Sequence, residues 1–203
     1  MKIICVGRNY AKHIKELKNE TPKEPVIFLK PETALIPKRQ AFFIPDFSND
    51  VHYESEIVVR IDRLGKNIAP KFAHKYYSQL SLGIDFTARD LQKELKEKGL
   101  PWEKAKAFDG AAPIGKWIDK EKFDDLKKLH FSLKINNSLK QSGNTAQMLF
   151  PVDELISHIS KFFTLKIGDL IFTGTPEGVG PIQKGDHLEG FIEDEKVLDL
   201  KVR

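Results

Sequence analysis

Asp50-Val51-His52-Tyr53-Glu54-Ser55-Glu56-Ile57-Val58-Val59-Arg60-Ile61 is the stretch on which the reading of this chain turns. It reads as a β-strand, and side chains alternate faces along a strand, so His52, Glu54 and Glu56 are expected to project the same way. Glu54 and Glu56 then lie about 7 Å apart at Cα, near enough to share one cation. The apolar run Ile57-Val58-Val59 heads into a core. Two carboxylates turned inward repel each other and resist desolvation unless positive charge sits between them. A hard divalent ion such as Mg²⁺ or Mn²⁺ is the simplest such charge. An ordinary half-exposed strand with these three side chains in water shows the same alternation.

A third acid shifts the balance. Ser81-Leu82-Gly83-Ile84-Asp85-Phe86 reads as a short strand with Asp85 at its end. Thr87-Ala88-Arg89-Asp90 then opens a helix, with Thr87 as N-cap and Asp90 at the capping-box position. Sites commonly form between a strand's end and a helix's start, although a plain turn acid fits there too.

The chain has 203 residues, 40% of them hydrophobic, enough for one domain over 1–203 with a full core. No run approaches the ~20 apolar residues that span a bilayer, and no signal-peptide pattern opens the chain. The single cysteine, Cys5, excludes an internal disulfide and fits a reducing, cytoplasmic setting. It falls in an apolar run and reads as a small core residue. The net charge of +4 arises from 33 basic against 29 acidic residues, with no dense basic tract. That gives little support to nucleic-acid binding and suits small anionic ligands equally well.

Strands are expected at Met1–Val6, Val26–Leu29, Ala41–Ile44, His52–Ile61, Tyr77–Phe86 and Leu170–Phe172. A hairpin is expected around Asn136-Asn137, and two or three strands at the C-terminus turn at Glu193–Lys196. Helices are expected at Asn9–Lys18, with Tyr10, Ile14 and Leu17 at helical spacing, and at Ala88–Lys98, with Leu91 and Leu95 inward. A third, Pro151–Phe163, carries Val152, Leu155, Ile156, Ile159, Phe162 and Phe163 as one apolar stripe. Strands dominate without regular βαβ alternation, so the expected class is mainly β with some helix (α+β).

Other residues could carry chemistry. His13 and Glu16, three apart, share a helix face; a carboxylate beside an imidazole fixes its tautomer and raises its basicity. An exposed pair on a lysine-rich helix has the same spacing. Lys106 has unusually apolar neighbours in Ala105, Ala107 and Phe108, and a lysine near a metal can neutralise an enolate. Thr173-Gly174-Thr175-Pro176-Glu177-Gly178-Val179-Gly180 could bring backbone N–H groups to an anion, or simply form a wide turn. Gln141-Ser142-Gly143-Asn144-Thr145 is open to the same two readings.

Five motifs in order resemble the fumarylacetoacetate hydrolase superfamily, in its short acylpyruvase and oxaloacetate decarboxylase-like branch. They are Gly7-Arg8-Asn9-Tyr10-Ala11-Lys12-His13, His52-Tyr53-Glu54-Ser55-Glu56, Asp85-Phe86-Thr87-Ala88-Arg89-Asp90-Leu91-Gln92, Gly99-Leu100-Pro101-Trp102 leading to Lys106, and the glycine loop from Thr173 to Gly180. The resemblance implies a mixed β-roll or sandwich catalytic fold and a homodimer. It implies Glu54, Glu56 and Asp85 as ligands of Mg²⁺ (or Mn²⁺), His13 and Glu16 as a catalytic dyad on a segment that closes over substrate, and Lys106 as an active-site lysine. Arg8, Gln92 and Thr175 fall where similar proteins contact substrate, and His52 is placed near the metal rather than on it. Ala111 and Ala112 replace polar or thiol residues of many relatives, and a bare catalytic module without the N-terminal domain of long members is expected.

The expected activity is metal-dependent hydrolysis of a C–C bond in 2,4-dioxo acids (acylpyruvates), giving pyruvate and a carboxylic acid. A metal-held enolate serves oxaloacetate decarboxylation, tautomerisation, or hydration and isomerisation of 2-oxo acids equally. No nucleic-acid or membrane partner is expected. A metal-free binding protein and a metal-stabilised structural module are the readings outside enzymology.

Overall fold

In a computed structural model, residues 1–16, 20–37 and 40–203 are described; Leu17 and Lys18 of the first expected helix lie outside them. The first strand, β1 (Ile3–Gly7), leads into α1 (Ala11–Glu16) and β2 (Val26–Lys30). The decisive stretch forms two strands, β3 (Val51–Tyr53) and β4 (Ser55–Ile61), broken at Glu54. Next come α2 (Pro70–Ala73), β5 (Tyr77–Ile84), β6 (Thr87–Ala88), α3 (Arg89–Glu97), α4 (Glu103–Lys106) and β7 (Ile118–Asp119). The expected hairpin is β8 (His130–Ile135) and β9 (Ser138–Asn144), and its Asn136 and Asn137 take φ of 51° and 64°. Both central residues at positive φ make the turn type whose twist matches paired strands. The chain closes with α5 (Val152–Phe162), β10 (Leu170–Phe172), β11 (Gly180–Pro181), β12 (His187–Ile192) and β13 (Glu195–Lys201).

The strands form a six-stranded sheet in the order β2-β1-β10-β4-β5-β7, a three-stranded sheet β11-β3-β6 and a four-stranded sheet β13-β12-β8-β9. The six-stranded sheet is mixed: β1 runs parallel to β10, while β4 is antiparallel to both β10 and β5. Both of its faces are covered. Ile4, Val6, Ile57, Val59, Ile61 and Ile171 pack with the α5 residues Leu155, Ile156 and Ile159. Their alternates Ile3, Cys5, Val58, Leu170 and Phe172 pack with Leu133, Leu188, Leu198 and Leu200 of the four-stranded sheet. This two-sided burial explains why β1 and β4 read as apolar runs. Each such core side chain contributes about 1.5–3 kcal/mol on leaving water. Gly83 inside β5 is required by packing, because a Cβ there would stand 2.6 Å from the Phe172 ring.

The architecture matches the mainly β, α+β expectation, and several local expectations are corrected. Phe42 makes only an isolated bridge to Val202, so Ala41–Ile44 is not a strand. Helix α3 buries Gln92, while Leu91 and Leu95 are only partly covered: it packs by its site-facing side. In α5 the stripe holds at Leu155, Ile156 and Ile159, whereas Phe162 in the last turn is exposed. No helix among the described residues is long and apolar enough to cross a membrane.

Candidate active site

Two strands leave the six-stranded sheet at the same level. β4 and β5 pair in register up to Ser55 opposite Ile84, and beyond the break β3 and β6 pair with His52 opposite Thr87. Glu54 and Asp85 occupy the two break positions, joined by the Asp85 N–H donating to the Glu54 carbonyl at 2.8 Å. Breaking both strands frees the acids from the pleat, so their side chains converge with Glu56, the second residue of β4. All three are buried, and one oxygen of each lies within 4.8 Å of the others.

Cations surround the cluster. Lys106 Nζ donates to Glu54 Oε2 at 2.9 Å, Asp85 Oδ2 at 2.7 Å and Thr87 Oγ1 at 2.6 Å. Arg89 donates to Glu54 Oε1 at 2.6 Å and to Gln92 Oε1 at 2.7 Å. Lys30, completely buried, lies 2.7 Å from Asp85 Oδ1 as an ion pair without hydrogen-bond alignment. Its ammonium also donates to the carbonyls of Phe86, Lys106 and Ala111. Burial alone would raise the Glu54 carboxyl, yet Lys106 and Arg89 carry it well below the usual carboxylate range. Burial, joined by the charges of Asp85 and Glu54, pushes Glu56 well above that range, against the Gly174 N–H donated to its Oε2 at 2.7 Å. Lys106 is raised: desolvation opposes its charge, and Asp85 and Glu54 outweigh it.

These residues fit a divalent ion. Ligand oxygens at 2.0–2.1 Å in an octahedron stand about 2.9–4.2 Å apart, a spacing that small rotamer changes reach from the triad as it stands. Asp85 Oδ1 has no hydrogen bond, and the Lys106 ammonium already bridges Glu54 and Asp85, so this pair of carboxylates can share a cation. Three carboxylates against Lys30, Lys106 and Arg89 sum to zero, so a bound dication leaves room for two negative charges of a ligand. A second group, His187, Glu189 and Asp199, lies nearer the surface, and Lys196 bonds both its acids at 3.1 and 2.8 Å. It is a surface ion network of modest worth.

The triad opens on a cavity of about 40 Å³, also lined by Arg8, His13, Phe28, Arg89, Gln92, Lys96, Trp102, Lys106 and Thr175. Thus every residue singled out from sequence as ligand, catalytic or substrate-contacting lines it except Glu16. Glu16 reaches it through His13, whose Nδ1 lies 3.1 Å from Glu16 Oε2. Glu16 also accepts the Gly178 N–H at 3.1 Å, and Lys12 pairs with Glu177 at 3.2 Å, so α1 is tied to the glycine loop. The loop's backbone N–H groups do meet anions, but these are the chain's own Glu56 and Glu16. Asn9 braces the arrangement, donating to the carbonyls of Thr173 and Phe150 and accepting from the Phe150 N–H.

Two readings need correction, and a third residue is more constrained than its motif suggested. Thr87 caps no helix: it lies in β6, and its hydroxyl donates to Glu54 Oε1, so α3 starts behind Ala88 with no side-chain cap. His52 does not line the cavity; its Nε2 lies 2.8 Å from Asp50 Oδ1, because the break at Glu54 ends the shared face. Thr175 is at the wall, but its hydroxyl is committed, donating to the Ser55 carbonyl and accepting from Gln141 Nε2, each at 2.9 Å. Lys30, Phe28, Arg89, Lys96 and Trp102 were not singled out. A lysine ending the apolar run Val26-Ile27-Phe28-Leu29 was the available signal for Lys30.

Residues 2–202 match the family model described as fumarylacetoacetate (FAA) hydrolase C-terminal. The chain is 43% identical over 201 residues to the mouse (Mus musculus) oxaloacetate tautomerase FAHD1, mitochondrial, covering 99% of this chain and 91% of the relative. It is 45% identical over 188 residues to the oxaloacetate tautomerase YcgM of Escherichia coli K12, covering 92% and 86%. The fumarylpyruvate hydrolase of Pseudomonas aeruginosa, solved with Mn²⁺ and pyruvate, superposes with a TM-score of 0.93 at 36% identity, covering 100% of this chain and 89% of that one.

Proposed function

Because the chain belongs to the fumarylacetoacetate hydrolase family, we propose that it interconverts the keto and enol forms of a 2-oxo acid, oxaloacetate first among them, with Mg²⁺ or Mn²⁺ at Glu54, Glu56 and Asp85. The observation that carries this reading is a buried carboxylate triad sharing one small cavity with an imidazole oriented by its own carboxylate. A divalent ion in the triad supplies Lewis-acid stabilisation of an enolate. The chain supplies the rest. Lys106 and Arg89 keep Glu54 ionised, and Lys30 holds Asp85 in place. Glu16 occupies one nitrogen of His13 and leaves Nε2 to move the proton. The C3–H bond of the keto acid breaks, His13 Nε2 takes that proton, and the same imidazolium returns it to the oxygen at C2, which leaves His13 neutral again. The two forms are isomers, so no water or second substrate is consumed.

A second reading, hydrolysis of a C–C bond in a 2,4-dioxo acid, is supported by the likeness to the fumarylpyruvate hydrolase. There His13 and Glu16 would activate a water instead. The loss of enol absorbance of oxaloacetate, with and without Mg²⁺, separates the two when run beside pyruvate release from acetylpyruvate. Metal-dependent ketonisation without pyruvate release supports the tautomerase. Pyruvate release without ketonisation supports the hydrolase. The proposal includes assembly as a homodimer, checked by sedimentation equilibrium.

A further inference from the structure

We propose that Arg8 and Lys96 form a recognition site for the distal carboxylate of a four-carbon 2-oxo diacid, making the cavity selective for a dianion; this rests on the tautomerase reading above. Five cationic residues line or back the cavity, and three of them are spent. Lys30, Lys106 and Arg89 are paired with Asp85 and Glu54. Arg8 and Lys96 line the same cavity, and neither has an ion-pair partner among the described residues. Two like charges lining one cavity repel each other, and an anion placed near both relieves that repulsion.

The backbone and the surroundings support the same conclusion. Arg8 takes φ of 59°, the left-handed region that non-glycine residues enter at a cost. Such strain persists where the surrounding structure enforces it, and here it turns the chain between β1 and α1 at the cavity edge. Lys96 projects from the last turn of α3, and its Nζ lies 5.5 Å from the centre of the Trp102 ring. Trp102 therefore holds the ammonium at the cavity, although the side chain is largely exposed. Desolvation, then the charges of Arg8, Arg89 and Lys106, hold Lys96 below the usual lysine range, with the Glu54 charge opposing them more weakly.

An apolar alternative exists beside it. Phe28, Trp102 and Lys106 also border a hollow of about 280 Å³ lined mostly by apolar side chains such as Val26, Leu29 and Leu100, together with Glu103. A substrate with an apolar tail would use that hollow and would leave Arg8 and Lys96 unpaired.

Pyruvate is oxaloacetate without its distal carboxylate, and this makes the test internal. The Mg²⁺-loaded full chain and its variants Lys96→Gln, Lys96→Arg and Arg8→Gln are assayed for oxaloacetate ketonisation, with pyruvate as competitive inhibitor. A charge-assisted hydrogen bond is worth about 10- to 100-fold in affinity, so Lys96→Gln and Arg8→Gln each raise KM for oxaloacetate by about that factor. The pyruvate inhibition constant stays within about two-fold, and Lys96→Arg stays closer to the parent than Lys96→Gln because arginine keeps both the charge and a cation–π contact with Trp102. Parallel changes in KM and pyruvate inhibition, or no change in either, overturn the proposal. If the parent turns over no oxaloacetate, the tautomerase reading has failed, and calorimetry with malate and lactate still decides the recognition site. Malate binding more tightly than lactate in the parent, and equally in Lys96→Gln, supports it. Equal affinity in the parent, or preference for an apolar-tailed 2-oxo acid such as 2-oxohexanoate, overturns it.

Discussion

Lys30 Nζ and Asp85 Oδ1 lie 2.7 Å apart with both side chains buried, one ending an edge strand and the other at the strand break that builds the site. The same ammonium ties the carbonyls of Phe86, Lys106 and Ala111, so one residue positions both a proposed metal ligand and the segment carrying Lys106.

Replacing Lys30 with Met is therefore expected to destabilise the fold. Removing one partner of a buried ion pair strands the other charge and costs about 3–5 kcal/mol. Urea unfolding measures this. A loss below about 0.5 kcal/mol, the range of ordinary surface changes, would show that the pair contributes nothing.

His13→Ala is expected to lower kcat by about 10²–10⁴, the usual worth of a positioned acid–base group. Glu16→Gln keeps the imidazole but loses its orienting charge, so a smaller loss is expected. Mn²⁺ affinity should stay the same in both, since neither residue is in the triad. Steady-state kinetics and a Mn²⁺ titration together check this, and unchanged kcat in His13→Ala would remove it from the proton path.

Gly174 takes φ of 100°, and a Cβ there would stand 2.7 Å from that of Asn9. Gly174→Ala is expected to cost about 1–3 kcal/mol through strain. Because the Gly174 N–H holds Glu56, metal affinity should fall as well. Thermal melts with and without Mn²⁺ report both effects, and a variant matching the parent in both would contradict this account of the loop.

Asp90 offers a pH test away from the triad. Burial is the largest single influence and opposes its charge, but hydrogen bonds from Ser48 Oγ and the Asn49 and Leu91 N–H groups together hold its pKa below the ordinary 3.8. A carboxyl lowered on folding contributes stability that is present above its unfolded pKa and lost as pH falls through its folded one. Asp90→Asn should thus cost about 1 kcal/mol or less at neutral pH, given its exposure. The gap to the parent should close below about pH 3.8. A gap that is unchanged at low pH would assign the loss to something other than charge.

Much of the fold was legible because its signals are local. Asn136-Asn137 marks its own turn, and the apolar runs of β1, β4 and β10 mark strands buried on both faces. Side-chain alternation led to Glu54 and Glu56, but for an incomplete reason: the strand breaks at Glu54, and no local signal marks a break caused by pairing with two different sheets. The same break misdirected His52 and Thr87. Lys30 and Lys96 escaped notice because a buried or cavity-facing lysine looks like any other until distant segments surround it. Asp85, His13 and Lys106 gained their roles from motif order rather than from their own neighbourhoods.

Electron paramagnetic resonance of Mn²⁺ added to the purified full chain tests the central claim most directly. One tightly bound Mn²⁺ per chain is expected, with a spectrum that changes on adding oxalate, and with binding lost in a folded Asp85→Asn variant. Free-solution Mn²⁺ signal in the parent, or equal binding in parent and variant, would contradict a metal held by Glu54, Glu56 and Asp85.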